Sequence, residues 1–327
     1  MPTKNTPQGQ PTTGPLESDF SEFQRPARED WRREAERALK GAPFDKVLVT
    51  RTFEGFAVQP LQDATDLASV AHRPGLSGFT AARSSGAPFL VAESVDLPDP
   101  AAAGQVLAEE LERGLTAIRL ALHPASNEGL DPEPVDSGTR AAPGIALRSV
   151  ADLALVLGTA DLAARPIQIL ADETALGLLA LVVAHARANG VDERALAGCV
   201  AADPLGKLAR TGGLGRSLDA CYRDLAACAA WATAHAPGVR VVAARGAPFG
   251  DGGASVVEEL ACVLASAVSY LRALEDRGIE PSVAAATCHF EFTIGPDFFM
   301  EVAKLRAARL LWGRVLEASS AGEGAAA

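Results

Sequence analysis

Short apolar runs alternate with windows of helical periodicity from Pro88 to the end of the chain. The runs show little polar alternation, which is typical of strands buried on both faces of a parallel sheet. A helical window follows each run, so the pattern predicts an α/β domain of successive βα units. The six predicted strands are Phe89–Ala92, Ala117–Leu122, Pro166–Leu170, Leu196–Ala201, Val239–Ala244 and Val283–Phe292.

Helix boundaries are marked by capping residues and by glycines. Asp99 is placed to cap the first helix of the domain and Gly114 to end it. In the last helix, Phe298, Val302 and Leu305 share one face, which predicts an amphipathic helix. On that pattern Trp312 joins the apolar face, whereas Glu301, Lys304 and Arg306 lie off it. The predicted helices are Pro100–Arg113, Ser149–Thr159, Glu173–Asn189, Leu218–His235, Ala254–Arg277 and Gly295–Trp312.

The number of βα units indicates a barrel that is not complete in this chain. A closed (β/α)₈ barrel has eight units in about 250 residues, and the stretch from Pro88 to Glu317 is about two units short of that. We therefore predict a TIM-barrel type domain over residues 87–318, with about six of eight units present, followed by a flexible tail over 319–327. The chain would then be an incomplete one or a naturally shortened form of the domain.

The N-terminal part differs in composition from this domain. Residues 1–28 are rich in Pro, Thr, Gln and Gly without any period, which predicts a disordered arm. Residues 29–86 hold a predicted helix, Glu29–Lys40, and two short β-like runs, Val47–Val49 and Phe56–Val58. We interpret them as a helix and extended segment that contacts another subunit. Packing of the helix on its own domain is an equally good interpretation of the residues.

Composition and charge narrow the classes of function. The hydrophobic fraction of 48% against 22% charged residues is a globular balance, and no apolar run is long enough to span a membrane. A net charge of −11 disfavours nucleic-acid binding. The N-terminus lacks a secretory signal, and the five cysteines fit small buried side chains in a reducing compartment, so we expect a cytoplasmic protein.

Three stretches carry a resemblance to a known family. They are FFMEVAKLRAARLLW (298–312), SVVEELACVLASAVSYLRAL (255–274) and the segment 31–61. These stretches, and their order along the chain, resemble the adenosylcobalamin-dependent acyl-CoA mutases, the methylmalonyl-CoA mutase family, and the first of them resembles a segment of that family's barrel domain. The segment 31–61 is most similar to the small subunit of the two-subunit bacterial enzyme. The resemblance implies a heterodimer with a catalytic large subunit that isomerises methylmalonyl-CoA and succinyl-CoA.

The family's functional motifs are missing at the matching positions. Catalytic members carry a Gly-Tyr-His-Met element whose histidine binds the thioester carbonyl, but this chain has Gly246, Ala247, Pro248 and Phe249 there. Proline has no donor for that oxygen. The Tyr-containing run that begins Arg-Gln near the first strand is absent, and so is the cobalamin motif Asp-x-His-x-x-Gly. We therefore expect no catalytic residues here, and adenosylcobalamin and acyl-CoA bound by the partner subunit.

Four residues at predicted strand ends are candidates for a barrel-mouth site. His289 and Glu291, two apart on a strand, would face one cavity and could form an acid/base pair. A buried, hydrogen-bonded histidine is the simpler interpretation of His289. Arg245 and Asp251 flank the missing element and could bind a ligand, although a mutual surface ion pair is the simpler interpretation.

Three functions follow from these observations. The chain is a non-catalytic subunit that supports a catalytic homologue, a divergent acyl-CoA mutase with its own active site, or another barrel isomerase outside the family. The loss of separate functional elements favours the first. The glycine-rich run Thr211–Gly215 lacks the lysine and the spacing of nucleotide-binding loops, so we interpret it as a loop before a helix.

Overall fold

The computed structural model describes residues 26–63, 65–66, 89–132 and 143–319. The predicted arm up to residue 25 and the predicted tail from residue 320 lie outside the described residues. The chain divides into two compact units, residues 1–69 and residues 70–327. We describe each unit separately.

The first unit contains two helices and a small hairpin. Its elements are α1 (Arg28–Ala38), α2 (Phe44–Val47), β1 (Thr50–Arg51) and β2 (Ala57–Val58), with β1 and β2 antiparallel. Trp31 of α1 meets Phe44 edge-on at 6.0 Å between ring centroids, and Arg32 lies 4.5 Å above the Phe44 ring. The predicted strand Val47–Val49 is wrong, because Val47 ends α2, which follows Pro43 at its N-terminal boundary.

The second unit alternates strands and helices over most of its length. Its strands are β3 (Ser94–Val95), β4 (Ile118–Leu120), β5 (Ile167–Ala171), β6 (Ala197–Ala202), β7 (Gly238–Arg245) and β8 (Cys288–Glu291). Its longer helices are α3 (Pro100–Glu112), α5 (Val150–Leu157), α6 (Leu176–Ala188), α7 (Pro204–Thr211), α8 (Leu218–His235), α10 (Val256–Glu275) and α12 (Phe298–Ala318). Its shorter helices are α4 (Pro124–Asn127), α9 (Ala247–Gly250) and α11 (Pro281–Ala286), with a 3₁₀ turn at Glu193–Ala195.

The six strands form one parallel sheet in the order β3-β4-β5-β6-β7-β8. Sequential parallel strands with helical crossovers are the arrangement that the repeated pattern predicts. The four central strands lie within two residues of their predicted ends, because each is a buried apolar run. The structure is therefore an α/β fold of the partial TIM-barrel type.

The predicted first and last strands need correction. The chain at Phe89–Ala92 is not a strand; the carbonyl oxygen of Val91 accepts hydrogen bonds from Thr116 and Ala117, and pairing becomes regular only at Ser94. The predicted strand Val283–Phe292 is wrong in its first half. Pro281 starts α11 there, since proline is favoured at the first helical position and the alanines that follow favour a helix.

The sheet curls upon itself. Arg119 of β4 and Glu291 of β8 are four strands apart, which would separate them by roughly 19 Å in a flat sheet at about 4.8 Å per strand. Their side chains instead form an ion pair at 2.6 Å. Gln168 of β5 likewise contacts His289 of β8 at 3.1 Å. The six strands thus form a curved barrel wall. Helices α3, α5, α6, α8 and α10 pack against its outer face and contribute side chains to the hydrophobic core.

Helix α12 does not bury the face that its periodicity suggests. Phe298, Phe299 and Val302 are exposed, whereas Glu301 and Lys304 are buried. The charged residues can be buried because Lys304 forms ion pairs with the carboxylates of both Glu259 and Glu301. None of the described helices combines the length and apolar character needed to cross a membrane.

Candidate functional site

Polar side chains line the inner face of the curved sheet. Arg119, Gln168 and Cys199 are in register on β4, β5 and β6, so their side chains share one face. On β7 and β8, Arg245 is in register with Glu291. TIM barrels usually fill this space with bulky branched apolar residues. The interior of this barrel instead combines small apolar side chains with polar and charged ones, and its ionisable groups lie near the carboxyl ends of the strands.

Glu291 is the centre of an ion-pair chain at this end of the barrel. Its Oε1 accepts from Arg119 Nη2 at 2.6 Å and its Oε2 from Arg245 Nε at 3.0 Å. Arg245 also lies 3.5 Å from Asp172, which binds Arg210 at 2.7 Å. Burial alone would raise the pKa of Glu291, but the two arginines outweigh it and lower the pKa. The Glu291 side chain is therefore an ionised carboxylate held on both oxygens.

His289 lies on the same face as Glu291 but has a different partner. Its Nε2 is 3.1 Å from the Gln168 side-chain amide nitrogen, which can only donate, so the ring nitrogen accepts. Burial is the main cause of a lowered His289 pKa, and the ring is therefore neutral at physiological pH. His289 and Glu291 thus share the inner face of the sheet, and each is engaged with a separate partner there.

Arg245 and Asp251 do not form the surface ion pair inferred from the sequence. Arg245 ends β7 and reaches inward to Glu291 and Asp172. Asp251 is exposed at the end of α9. The pairing was wrong because the five intervening residues form a turn and a short helix that direct the two side chains to different places.

The segment from Gly246 to Phe249 lies at the mouth, where the family's carbonyl-binding element would stand. Pro248 lies in α9 and offers no donor to a ligand. Gly246 has a packing role, since a Cβ atom at this position would lie 2.0 Å from Glu259 Oε1. The close approach of Glu259 therefore explains why glycine stands at this position.

A cavity of about 240 Å³ opens among these side chains. Three guanidinium groups face one carboxylate across it, which gives the lining a cationic character. The lining residues are Ser94, Arg119, Leu120, Ala121, Leu122, Asn127, Gln168, Leu170, Asp172, Arg210 and Arg245. Each arginine of this lining already pairs with Glu291 or Asp172, so among the residues that the structure describes the cavity offers no unpaired cation to a bound anion.

Several residues of this network escaped the sequence analysis. Arg119, Gln168, Asp172 and Arg210 were not candidates, although Asp172 directly follows the buried run of β5. A charged residue immediately after a buried strand is a signal for the carboxyl mouth of a parallel sheet. Arg210 could not be found in this way, because it lies in α7, a helix hidden within what looked like a glycine-rich connection.

A second charged cluster holds the loop between β8 and α12. Lys304 Nζ lies 2.5 Å from Glu259 Oε2 and 2.6 Å from Glu301 Oε2. Glu259 Oε1 accepts from the Thr293 amide at 2.7 Å, and Glu301 Oε1 accepts from the Gly295 amide at 3.0 Å. This cluster fixes the loop at the mouth through protein contacts alone.

Comparison with known proteins identifies the family. The family model described as Methylmalonyl-CoA mutase matches residues 51–326. The chain belongs to the methylmalonyl-CoA mutase family. Its relatives include the methylmalonyl-CoA mutase small subunit of Streptomyces virginiae, 33% identical over 91% of this chain and 46% of the relative. The large subunit of the same organism is 26% identical over 88% of this chain and 40% of the relative.

A methylmalonyl-CoA mutase of Cereibacter sphaeroides is 30% identical over 88% of this chain and 41% of the relative. The chain therefore spans less than half the length of the curated relatives it matches. Relatives named small and large subunits imply that the family includes two-subunit assemblies. The greater identity to the small subunit than to the large subunit of one organism agrees with the resemblance seen in residues 31–61.

Members of this family generally depend on adenosylcobalamin. Among the residues that the structure describes, no group of three or more His, Cys, Asp or Glu side chains is arranged to hold a metal ion. His289 is turned to Gln168, and Nδ1 of His123 accepts from the Ala125 amide within its own helix cap. His289 and His123 are thus engaged with neighbouring groups of the barrel, and we derive no catalytic step through cobalamin in this chain.

Proposed function

We propose that this chain acts as a small, non-catalytic subunit of an adenosylcobalamin-dependent methylmalonyl-CoA mutase in the cytoplasm. Its partner is the catalytic large subunit, which binds the cofactor and the acyl-CoA and interconverts methylmalonyl-CoA and succinyl-CoA. The barrel described above supports that partner without turning over substrate.

One observation carries the proposal: the charged side chains at the mouth of this barrel bind each other. Arg119 and Arg245 form ion pairs with Glu291, and Arg245 and Arg210 form ion pairs with Asp172. A catalytic site needs groups that gain their interactions with the reacting atoms in the transition state. Here the interactions are already made in the absence of a substrate, and Pro248 supplies no donor for a thioester carbonyl.

Activity in the assembled enzyme tests this proposal. The chain is expressed alone and together with its large subunit, and isomerisation of methylmalonyl-CoA is assayed with adenosylcobalamin. We expect turnover only when the large subunit is present. Arg210→Ala and Arg245→Ala in this chain should leave the turnover of the complex within about twofold of wild type, since neither touches substrate. Turnover by this chain alone would contradict the proposal.

The N-terminal segment is proposed to contact the partner. Helix α1 buries no side chain, and Phe53 and Phe56 in the same unit are exposed. Deletion of Met1–Lys40 should weaken co-purification with the large subunit by at least about tenfold in apparent affinity, as expected for the loss of more than ~1.4 kcal/mol of contact energy. The helical circular-dichroism signal of the remainder should be retained.

If the truncated chain co-purifies as tightly as the complete one, residues 1–40 do not form the contact. The quadruple variant Arg32→Ala, Arg33→Ala, Glu36→Ala and Arg37→Ala removes side chains of α1 while keeping its backbone. This variant should weaken binding to the large subunit only if the side chains of α1 form the contact, and it should leave binding unchanged if the segment is merely present.

A further inference from the structure

Glu173 occupies an unusual position directly after β5 and Asp172. The residue has no exposed surface, although its side chain is a carboxylate. Its Oε1 accepts from Lys207 Nζ at 2.5 Å and from the Gly215 amide at 2.7 Å. Lys207 is itself buried and also donates to Glu128 at 2.6 Å. The carboxylate is therefore enclosed by a lysine and by the backbone of the glycine-rich loop.

The loop that follows α7 supplies a backbone donor to this carboxylate. Gly212 has φ +75°, a left-handed conformation that ends α7 and turns the chain back. The Gly215 amide, in the loop beyond it, and the Lys207 ammonium both donate to Glu173 Oε1. Backbone amides and lysine ammonium groups are donors with which proteins bind phosphate and other oxyanions.

The charges in this pocket favour an ionised occupant. Burial alone would raise the pKa of Glu173, but the hydrogen bonds from Lys207 and Gly215 outweigh it, so the pKa is lowered. Burial alone would lower the pKa of Lys207, but Glu128 and Glu173 outweigh it and raise the pKa. At neutral pH the Glu173 carboxylate is therefore negatively charged and the Lys207 ammonium beside it is positively charged.

We propose that the Glu173 carboxylate is the resident ligand of an oxyanion pocket formed by Lys207 and the Gly215 amide. Lys207 and the glycine-rich loop supply the donors of an anion site, and the chain fills that site with its own side chain. In the native protein the pocket therefore takes no external carboxylate or phosphate. Vacating it exposes a site for a small carboxylate.

This occupancy has a consequence for the rest of the mouth. Lys207 and Arg210 lie on the same short helix, α7, and Arg210 binds Asp172, the neighbour of Glu173. The contacts of Glu173 with Lys207 and Gly215, together with the contact of Asp172 with Arg210, therefore hold α7 and the loop that follows it against the end of β5. The proposal concerns a pocket outside the ion-pair chain of Glu291 and goes beyond the proposed subunit function.

Replacement of Glu173 by alanine tests the pocket by chemical rescue. The substitution removes four heavy atoms, the number in acetate. Thermal unfolding of Glu173→Ala should occur roughly 5 to 10 °C below that of wild type. Sodium acetate at about tenfold above its Kd should recover roughly 3 °C or more, and sodium chloride of equal ionic strength should recover none of it.

Matched variants separate specific rescue from a general salt effect. Glu173→Gln keeps the side-chain volume and leaves no room for acetate, so it should not be rescued. Glu258→Ala removes an exposed capping carboxylate that accepts from the Ser255 amide, and it also leaves no enclosed pocket. Acetate that raises the melting temperature of all three variants equally would overturn the proposal, as would the absence of rescue in Glu173→Ala.

A measurement on the native chain does not depend on how well the variants fold. The Gly215 amide is followed by two-dimensional NMR while inorganic phosphate or acetate is added. We expect no saturable shift of this amide, since Glu173 occupies the pocket. A saturable shift in the wild-type protein would show that the loop is open to external anions and would overturn the proposal. Activity of the large subunit plays no part in either experiment.

Discussion

The two buried lysines, Lys207 and Lys304, offer a comparison within one barrel. Each bridges two glutamates and fixes a loop at the carboxyl end of the sheet. They differ in their access to water. The Lys304 cluster is closed on all sides, with side-chain exposures of 1%, 2% and 8% for Lys304, Glu259 and Glu301. In the Lys207 cluster, Glu128 has an exposure of 37%.

The two clusters have the same number of ion pairs but differ in solvent exposure, so a comparison of them shows how burial affects the contribution of an ion pair to stability. A buried ion pair contributes little net stability over an apolar replacement, but the loss of one partner leaves a charge without compensation. The penalty should grow with the number of charges that cannot reach water. Substitution of the lysine therefore tests how closed each cluster is.

The largest effect is expected for Lys304→Met. It leaves both Glu259 and Glu301 buried without their cation, and we expect a loss of about 3 to 5 kcal/mol in the free energy of unfolding by urea. Arg309→Met on the same helix is the matched control. Because Arg309 is exposed, its substitution should lower the free energy of unfolding by less than about 0.5 kcal/mol. Equal effects of the two substitutions would contradict the buried cluster.

A smaller effect is expected for Lys207→Met. Glu128 can turn to solvent when its partner is removed, so only Glu173 is left as a buried charge, and it still has the Gly215 amide. We expect a loss of roughly 2 kcal/mol in the same urea measurement, below that of Lys304→Met. A loss equal to or larger than that of Lys304→Met would show that exposure does not distinguish the two clusters.

The effect of Glu291→Gln should depend on pH in one direction. Since the folded state lowers the pKa of Glu291, the carboxylate stabilises the fold above its unfolded pKa of about 4.3. This contribution is lost as the pH falls through the lower folded-state pKa. We expect wild type to be more stable than the variant by about 1 to 2 kcal/mol at pH 7, and the difference to vanish well below pH 4.

Urea unfolding of both proteins from pH 7 down to pH 3 gives the two stability curves. Asp251→Asn serves as the control, because Asp251 is exposed and the structure gives it no part in the ion-pair chain of Glu291. A constant difference between wild type and Glu291→Gln over this range would contradict the assigned ion pairs with Arg119 and Arg245.

Much of the fold could be predicted from the sequence because its signals are local. The bounds of α8, Leu218–His235, match the prediction residue for residue, and Asp99 caps α3 by accepting from the Ala102 amide. The central strands were found because each buries an uninterrupted apolar run. Local signals failed where a short sequence is compatible with both a strand and a helix. The residues Val283–Ala286 are an example, since they belong to a helix that starts at Pro281.

The candidate site was harder to predict because its contacts are distant in sequence. Glu291 and Arg119 are 172 residues apart, so neither could be assigned a partner from the pattern around it. Periodicity showed which residues of α12 share a face but not which face is buried. Lys304 is buried with two counter-charges, and one of them, Glu259, lies 45 residues earlier in the sequence. Pairing across the barrel is decided by the curl of the sheet, which no local pattern encodes.

The central claim is that the mouth of this barrel is satisfied by its own side chains and holds no acyl-CoA. Isothermal titration of the chain with methylmalonyl-CoA tests it directly, with Arg210→Ala and Arg245→Ala as comparison variants. We predict no saturable binding up to about 1 mM, a concentration that would reveal any affinity better than about −4.1 kcal/mol. Saturable binding by the wild-type chain that is lost in both arginine variants would contradict the claim.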